Sequence, residues 1–364
     1  LLAGVFGAMF ALVALTAAYN RAYNERRRER AEEHYRIGRT AADYGYYRAA
    51  IDAFGDALLY DRNNFDYRLG LALSLYDAGR GQEAEYHLLE LRALQPTDAT
   101  ANLLLARLAA RSGRVEQAAN YYRTAIHGRW PQNVEQNRIA TRFELIEMFE
   151  RTGNSLRVLA ELRTALQEEG GDPRRARRLG PLFLRHGSPG EALALLAPLA
   201  DGPLADAELF SDLGEASFRT RAYARALDYF DRALRAGSTN EAIAERRSLT
   251  AEILALDPTP LGLPVSRRHQ RARDVLRRVK ERLEICANPL GDELVGPPRP
   301  LPVAVRDLLA TANGRLAENR RSADYPEALE GDLLLAENLW RLRDRVCASE
   351  AGEDAALAAV MELL

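Results

Sequence analysis

Few residues in this chain are of a type and spacing that could do chemistry. The five histidines, His34, His87, His127, His186 and His269, are scattered along the sequence. The two cysteines, Cys286 and Cys347, form no CxxC pair and have no histidine close by. A structural zinc site needs about four ligands at close spacing, which neither cysteine has. They read as small buried hydrophobes, or as a disulfide in an oxidising compartment. There is no phosphate-cradling lysine loop, no GxGxxG after a strand, no HExxH and no GxSxG. Carboxylates are plentiful, but no pair stands apart as acid and base. The expectation is no enzyme, no cofactor and no metal.

The abundant functional group is the guanidinium. Of the 50 basic residues, Lys280 is the one lysine and the other 49 are arginine. That bias suggests a GC-rich bacterial genome more than a mechanism. The 52 acidic residues leave a net charge of −2, so no global field draws the chain to nucleic acid. Arginine is suited to bidentate contact with carboxylates, and the elements that place it decide what it does.

Those elements are helices. Ala, Leu, Arg and Glu dominate and favour helix, while sparse β-branched residues argue against a sheet. A period of 34 residues runs through the chain, with units starting at Ala31, Phe65 and Ala99. The phase slips by six residues around Trp130-Pro131, then resumes at Ile139, Pro173 and Ala207. Small residues fall at internal positions 8 and 20: Gly38 and Ala50, Ala72 and Ala84, Ala106 and Ala118, Gly180 and Ala192, Gly214 and Ala226. Large ones fall at positions 7 and 24, among them Leu105 and Tyr122, Leu145 and Leu162, and Leu213 and Phe230. Turn residues divide each unit in two, as at Gly79-Arg80-Gly81, Ser112-Gly113 and Thr152-Gly153-Asn154. A lone helix over 241–256 continues the phase as a cap. The slip is expected to lengthen the first helix of the fourth unit, starting near Pro131, since proline suits the first helical position.

Over residues 31–256 this pattern resembles the tetratricopeptide repeat, a helix pair that stacks on its neighbours. Val158 departs from it at position 20, and Leu91 and Leu199 at position 27. The resemblance implies an all-α fold: a right-handed α-solenoid of about six helix pairs. It also implies binding of protein partners on the inner face of each first helix, at positions 2, 5, 9, 12 and 13. Carried over, those positions give apolar anchors Tyr35, Leu69, Leu73, Tyr76, Leu103 and Phe143. They also give the arginines Arg39, Arg107, Arg111, Arg174, Arg177 and Arg185. The charges are segregated. Units one and two hold Glu32, Asp43, Asp66 and Asp77 against Arg39, and units three and five hold only arginines. Either an acidic peptide segment with an apolar anchor is the ligand, or neighbouring helices pair these arginines internally, for example with Glu147 or Glu150, and leave the groove neutral. Relatives that clamp chaperone tails carry Lys and Asn at positions 5 and 9 of the first unit; Tyr35 and Arg39 stand there, so that ligand is not expected.

Residues 1–20 carry no charge, and a bilayer core needs roughly 20 apolar residues as a helix. A single-pass transmembrane helix is expected there, with a cleavable signal peptide as the rival reading. Arg21, Arg26, Arg27, Arg28 and Arg30 follow as a juxtamembrane segment over 21–30, and positive charge next to a span marks the cytoplasmic side. The repeats are thus expected in the cytoplasm, the periplasm being the alternative. Residues 257–364 read as a further helical domain, with a basic helix at 265–287, a Pro-rich linker at 296–302, and helices near 303–320, 325–348 and 353–364. The basic helix either faces solvent or meets a lipid surface or acidic partner. The combined expectation is a membrane-anchored scaffold that recruits proteins, or else an obligate accessory subunit of a membrane complex.

Overall fold

The computed structural model describes residues 2–168, 172–287, 303–318, 325–346 and 354–364, without the side chains of 2–14, 286–287 and 344–346. Seventeen α-helices and one 3₁₀ turn account for nearly all of it, with no strand among the described residues. The Pro-rich linker and the side chains of Cys286 and Cys347 lie outside the described residues. The chain forms two compact units, residues 1–169 and 170–364.

The first unit holds four helix pairs: α1 (Leu2–Asp43) with α2 (Tyr47–Tyr60), α3 (Phe65–Asp77) with α4 (Gly81–Leu94), α5 (Ala99–Arg111) with α6 (Val115–Ile126), and α7 (Val134–Arg151) with α8 (Ser155–Glu168). The second opens with α9 (Pro173–Arg185) and α10 (Pro189–Leu196), extended by the 3₁₀ turn Ala197–Leu199. The pair α11 (Ala207–Arg219) and α12 (Tyr223–Arg235) follows, then α13 (Glu241–Leu256). Helices α3, α5, α9 and α11 start at the predicted repeat starts, and α13 spans the predicted cap.

A periodic cap fixes those starts. Asn64, Asp98, Asp172, Asp206 and Asn240 each precede a helix and accept a hydrogen bond from a backbone N–H in its first turn. Such a cap contributes about 1 kcal/mol. At the fourth pair the equivalent residue is Arg138, which cannot cap, and α7 runs back to Val134, giving 18 residues where α5 has 13. The lengthening was expected; its start at Pro131 was not met. Pro131 lies in the bend before α7, and Asn133 at φ 49° makes the turn. The inserted loop is stitched to the loop before α5. Arg129 N–H donates to the Thr97 carbonyl at 2.8 Å, and Ala99 N–H to the Arg129 carbonyl at 3.2 Å. Gly128 makes this possible, since a Cβ there would stand 2.7 Å from the Thr97 oxygen.

Between paired helices, positions 8 and 24 are complementary. Gly38 faces Phe54, Gly214 faces Phe230, and Gly180 faces Leu196; an added Cβ would come within 2.8, 2.5 and 2.4 Å of those side chains. Where position 8 is alanine, position 24 is Leu88 or Tyr122, and all four side chains are buried. Position 15 takes a left-handed turn. It is glycine in the first five pairs, Gly113 for example at φ 72°, and Arg221 at φ 60° in the sixth.

In the second unit α13 is followed by α14 (Val265–Ala287), α15 (Val303–Ala317), α16 (Tyr325–Val346) and α17 (Ala355–Met361). One stripe of α14, Ala272, Val275, Leu276, Val279 and Leu283, is fully buried. It shares one core with Tyr223, Ile253 and Leu256 of α12 and α13 and with Leu357 and Val360 of α17. A buried cluster ties the later helices: Asp332 lies between Arg315 at 3.0 Å and His269 at 3.4 Å, and His269 stacks on Tyr325.

Helix α1 is continuous from Leu2 through the first repeat, 42 residues without a break. Among the described residues no helix is long and apolar enough to cross a membrane. Most of the predicted span, residues 1–14, lies outside the described side chains. Its remainder, 15–20, and the arginine-rich stretch to Arg30 are exposed except for half-buried Arg27.

Candidate interaction surface

The residues that the resemblance places on a partner-binding face lie on the first helix of each pair. In the first unit Leu69, Leu73, Tyr76, Leu103 and Phe143 are all half-buried, while Leu71, Leu105 and Leu145 one layer below are sealed. Tyr35 is committed more deeply. Its ring lies 4.9 Å from Tyr67 and 5.7 Å from Phe54, joining the first and second pairs, and burial raises its hydroxyl pKa. Tyr67 donates to Glu32 at 3.2 Å, and burial with that acceptor pushes its pKa up to about 12. Arg39 is exposed beside them.

The arginines expected to face a ligand are largely occupied by the chain itself. Arg107 makes a bidentate pair with Glu144, at 2.8 and 2.6 Å, which raises its pKa further. Glu144 also accepts from Tyr122 at 3.4 Å. Arg111 is exposed but lies over the Tyr76 ring at 4.8 Å. Bidentate Arg–carboxylate geometry is the strong form of this contact, so Arg107 meets a ligand already neutralised.

In the second unit Arg177 is held by three acids: Asp206 at 3.2 Å, Glu208 at 2.8 Å and Asp212 at 3.0 Å. Burial pushes the Asp212 carboxyl up to about 6 in spite of Arg177. These groups border an open cleft of about 590 Å³ lined by Leu184, Ser211, Asp212, Glu215, Ile243 and Arg246 among others. Glu215 pairs there with Arg219 at 2.7 Å and Arg246 at 3.2 Å. Arg174 and Arg185 are exposed.

Two of these acids carry a readable signal. Glu144 and Asp212 occupy position 6 of the following repeat, next to the large residue at position 7. That site lies against the preceding first helix, so an acid there meets an arginine at position 5 or 9 one repeat back. Arg107 is thus paired internally, by Glu144 rather than by Glu147 or Glu150.

The basic helix α14 is absorbed in the same way. Arg271 donates to the Asp257 carbonyl at 2.8 Å and Arg268 to that of Pro258 at 3.0 Å, closing the end of α13. Arg273 donates to the carbonyls of Leu316 and Glu318 at the end of α15. Arg278 pairs with Glu252 at 2.6 Å, and Arg282 with Asp354 at 3.4 Å. Cations at helix C-termini satisfy orphan carbonyls and complement the dipole. Its charge serves packing, with Arg267 left exposed.

A protein-family model described as the tetratricopeptide repeat matches residues 35–99, 87–134 and 177–241. No curated protein matches the chain. Among solved structures, YrrB, a tetratricopeptide protein with an unusual peptide-binding site, is 16% identical, with 55% of this chain and 100% of that one covered at a TM-score of 0.41. PilF of Pseudomonas aeruginosa is 14% identical, with 61% and 98% covered at 0.39. MamA is 16% identical, with 65% and 98% covered at 0.32. Residues 35–134 and 177–241 of this chain thus carry tetratricopeptide repeats.

Proposed function

We propose that the protein is a scaffold anchored in a membrane by residues 1–20, which recruits or assembles partner proteins on the inner faces of its first helices. Tetratricopeptide repeats generally act as protein-interaction scaffolds rather than catalysts. The observation that carries the reading is the row of half-buried anchors, Leu69, Leu73, Tyr76, Leu103 and Phe143, above a sealed layer. A folded array gains nothing by leaving such side chains half-covered, and a bound segment completes their burial at about 25 cal/mol per Å². The ligand is read by these anchors first. Its acidic character rests on the exposed Arg39, Arg111 and Arg174, because Arg107 and Arg177 are already paired. Residues 257–364 close the far end of the array, and the Arg21–Arg30 run orients the repeats toward the cytoplasm.

Solubilising native membranes and identifying what co-purifies tests the reading. Leu73→Asp and Leu103→Asp should release the partners while the helical signal persists. If both folded variants retain every partner, the inner face is not the docking site. Labelling of an engineered cysteine in 296–302 by an impermeant reagent on intact cells would put the repeats outside the cytoplasm.

A further inference from the structure

Residues 15–30 of α1 form a bare helix: every side chain but Arg27 is exposed, and the first contact with the repeats that buries a residue is at Ala31. A helix takes 3.6 residues per turn, so Tyr19, Tyr23, Arg26 and Arg30, spaced four, three and four residues apart, share one stripe. Tyr19 and Tyr23 stack at 6.3 Å, and Arg27 lies over the Tyr23 ring. Glu25 and Glu29 sit on another face, so the stripe from Tyr19 to Arg30 holds no acid. The whole chain is slightly acidic, at −2, so this attraction to anions is local.

We propose that this stripe is a docking surface for anionic lipid headgroups, resting on the membrane-anchored reading above. Tyrosine is favoured at headgroup depth, and basic residues beside a span gain about 1 kcal/mol each from an anionic leaflet. The stripe presents tyrosine first and arginine outward, in the order that an interface is crossed from its apolar side. Because α1 runs unbroken into the first repeat, headgroup contact sets the orientation of that repeat as well as its distance.

The test reconstitutes the full chain in vesicles of phosphatidylcholine alone or with phosphatidylserine, and follows trypsin cleavage after Arg26 and Arg30 by mass spectrometry. Phosphatidylserine should slow cleavage at both sites by about thirtyfold, the order expected for two such charges. Cleavage after Arg235, on α12, should be unchanged. Tyr19→Ser with Tyr23→Ser should reduce the protection, and neither change should unfold the repeats, since both rings are exposed. If the protein floats with both vesicles but is cleaved equally in each, the anchor stands and the lipid stripe is overturned; an acidic protein segment then becomes its partner. If the protein floats with neither, the anchor falls and the stripe with it.

Discussion

Replacing Glu161 should destabilise the fourth helix pair far more than its place in a surface-rich helix suggests. Glu161 is 7% exposed and accepts from Arg123 at 2.9 Å and from Arg142 at 3.2 Å. Arg142 is only 3% exposed, and its second partner is Glu168. Glu161→Ala leaves Arg123, which is half in water, nearly unaffected. Arg142, by contrast, stays buried with one carboxylate in place of two. Breaking a buried pair costs about 3–5 kcal/mol; since Glu168 remains, about 3 is expected. The exposed pair of Glu116 and Arg157, 2.6 Å apart, is the control, and Glu116→Ala should cost less than about 1 kcal/mol. Replacing both Arg142 and Glu161 by leucine removes the desolvation cost and should be near neutral. Urea midpoints and amide exchange along α7 and α8 read the effect. Equal losses from Glu161→Ala and Glu116→Ala, or a double leucine variant as unstable as the single one, would refute the assignment of a buried charge network.

Three further outcomes follow from the packing. Gly214→Ala should cost about 1–3 kcal/mol by overpacking against Phe230, and adding Phe230→Leu should restore stability, since Ala72 over Leu88 is the combination already used in the second pair; failure of that rescue in thermal melts would disprove the complementarity. The raised Asp212 pKa means the folded chain holds that proton more tightly, so its contribution to stability is present below pH about 4 and is lost as pH rises to about 6. Urea titrations of wild type and Asp212→Asn should therefore diverge by at most about 3 kcal/mol across that window, and a pH-independent difference would contradict it. At Arg221, held at φ 60° and bonded to Glu362 at 2.8 Å, alanine loses the ion pair but keeps the strained backbone, whereas glycine relieves it. Arg221→Gly should thus be more stable than Arg221→Ala by about 1 kcal/mol, in contrast to an ordinary helical site.

The fold was legible because one rule repeats. A single layer of small and large residues, Gly38 against Phe54 or Gly214 against Phe230, dictates each helix pair, so a period in the sequence becomes a period in space. What was missed is equally periodic. The Asn/Asp caps at 64, 98, 172, 206 and 240 are polar and exposed or nearly so, and a search for apolar spacing passes over them. The series is interrupted at Arg138, inside α7, which starts earlier, at Val134. The family model skips this fourth pair, whose Ile146 and Val158 are buried where small residues usually stand, and whose position 4 is the buried Arg142. A charge network holds the place where the other pairs use apolar size.

The surface was less legible because charge is not a property of one repeat. Arg107 and Arg177 stand at positions 9 and 5, but the acids that neutralise them come from the next repeat. Whether Arg107 meets a ligand or Glu144 depends on a residue 37 places on, across the inserted loop. Arg177 and Asp212 are related in the same way, 35 places apart. Counting inner-face charges by repeat therefore overstates the field a ligand meets, and the same error made α14 look like a free basic helix. Among the described residues, Arg111 lies over a tyrosine ring instead, and Arg26 and Arg30 are exposed on the bare part of α1. In an arginine-rich helical array the informative arginine is the one whose neighbours, one repeat on, leave it unmatched.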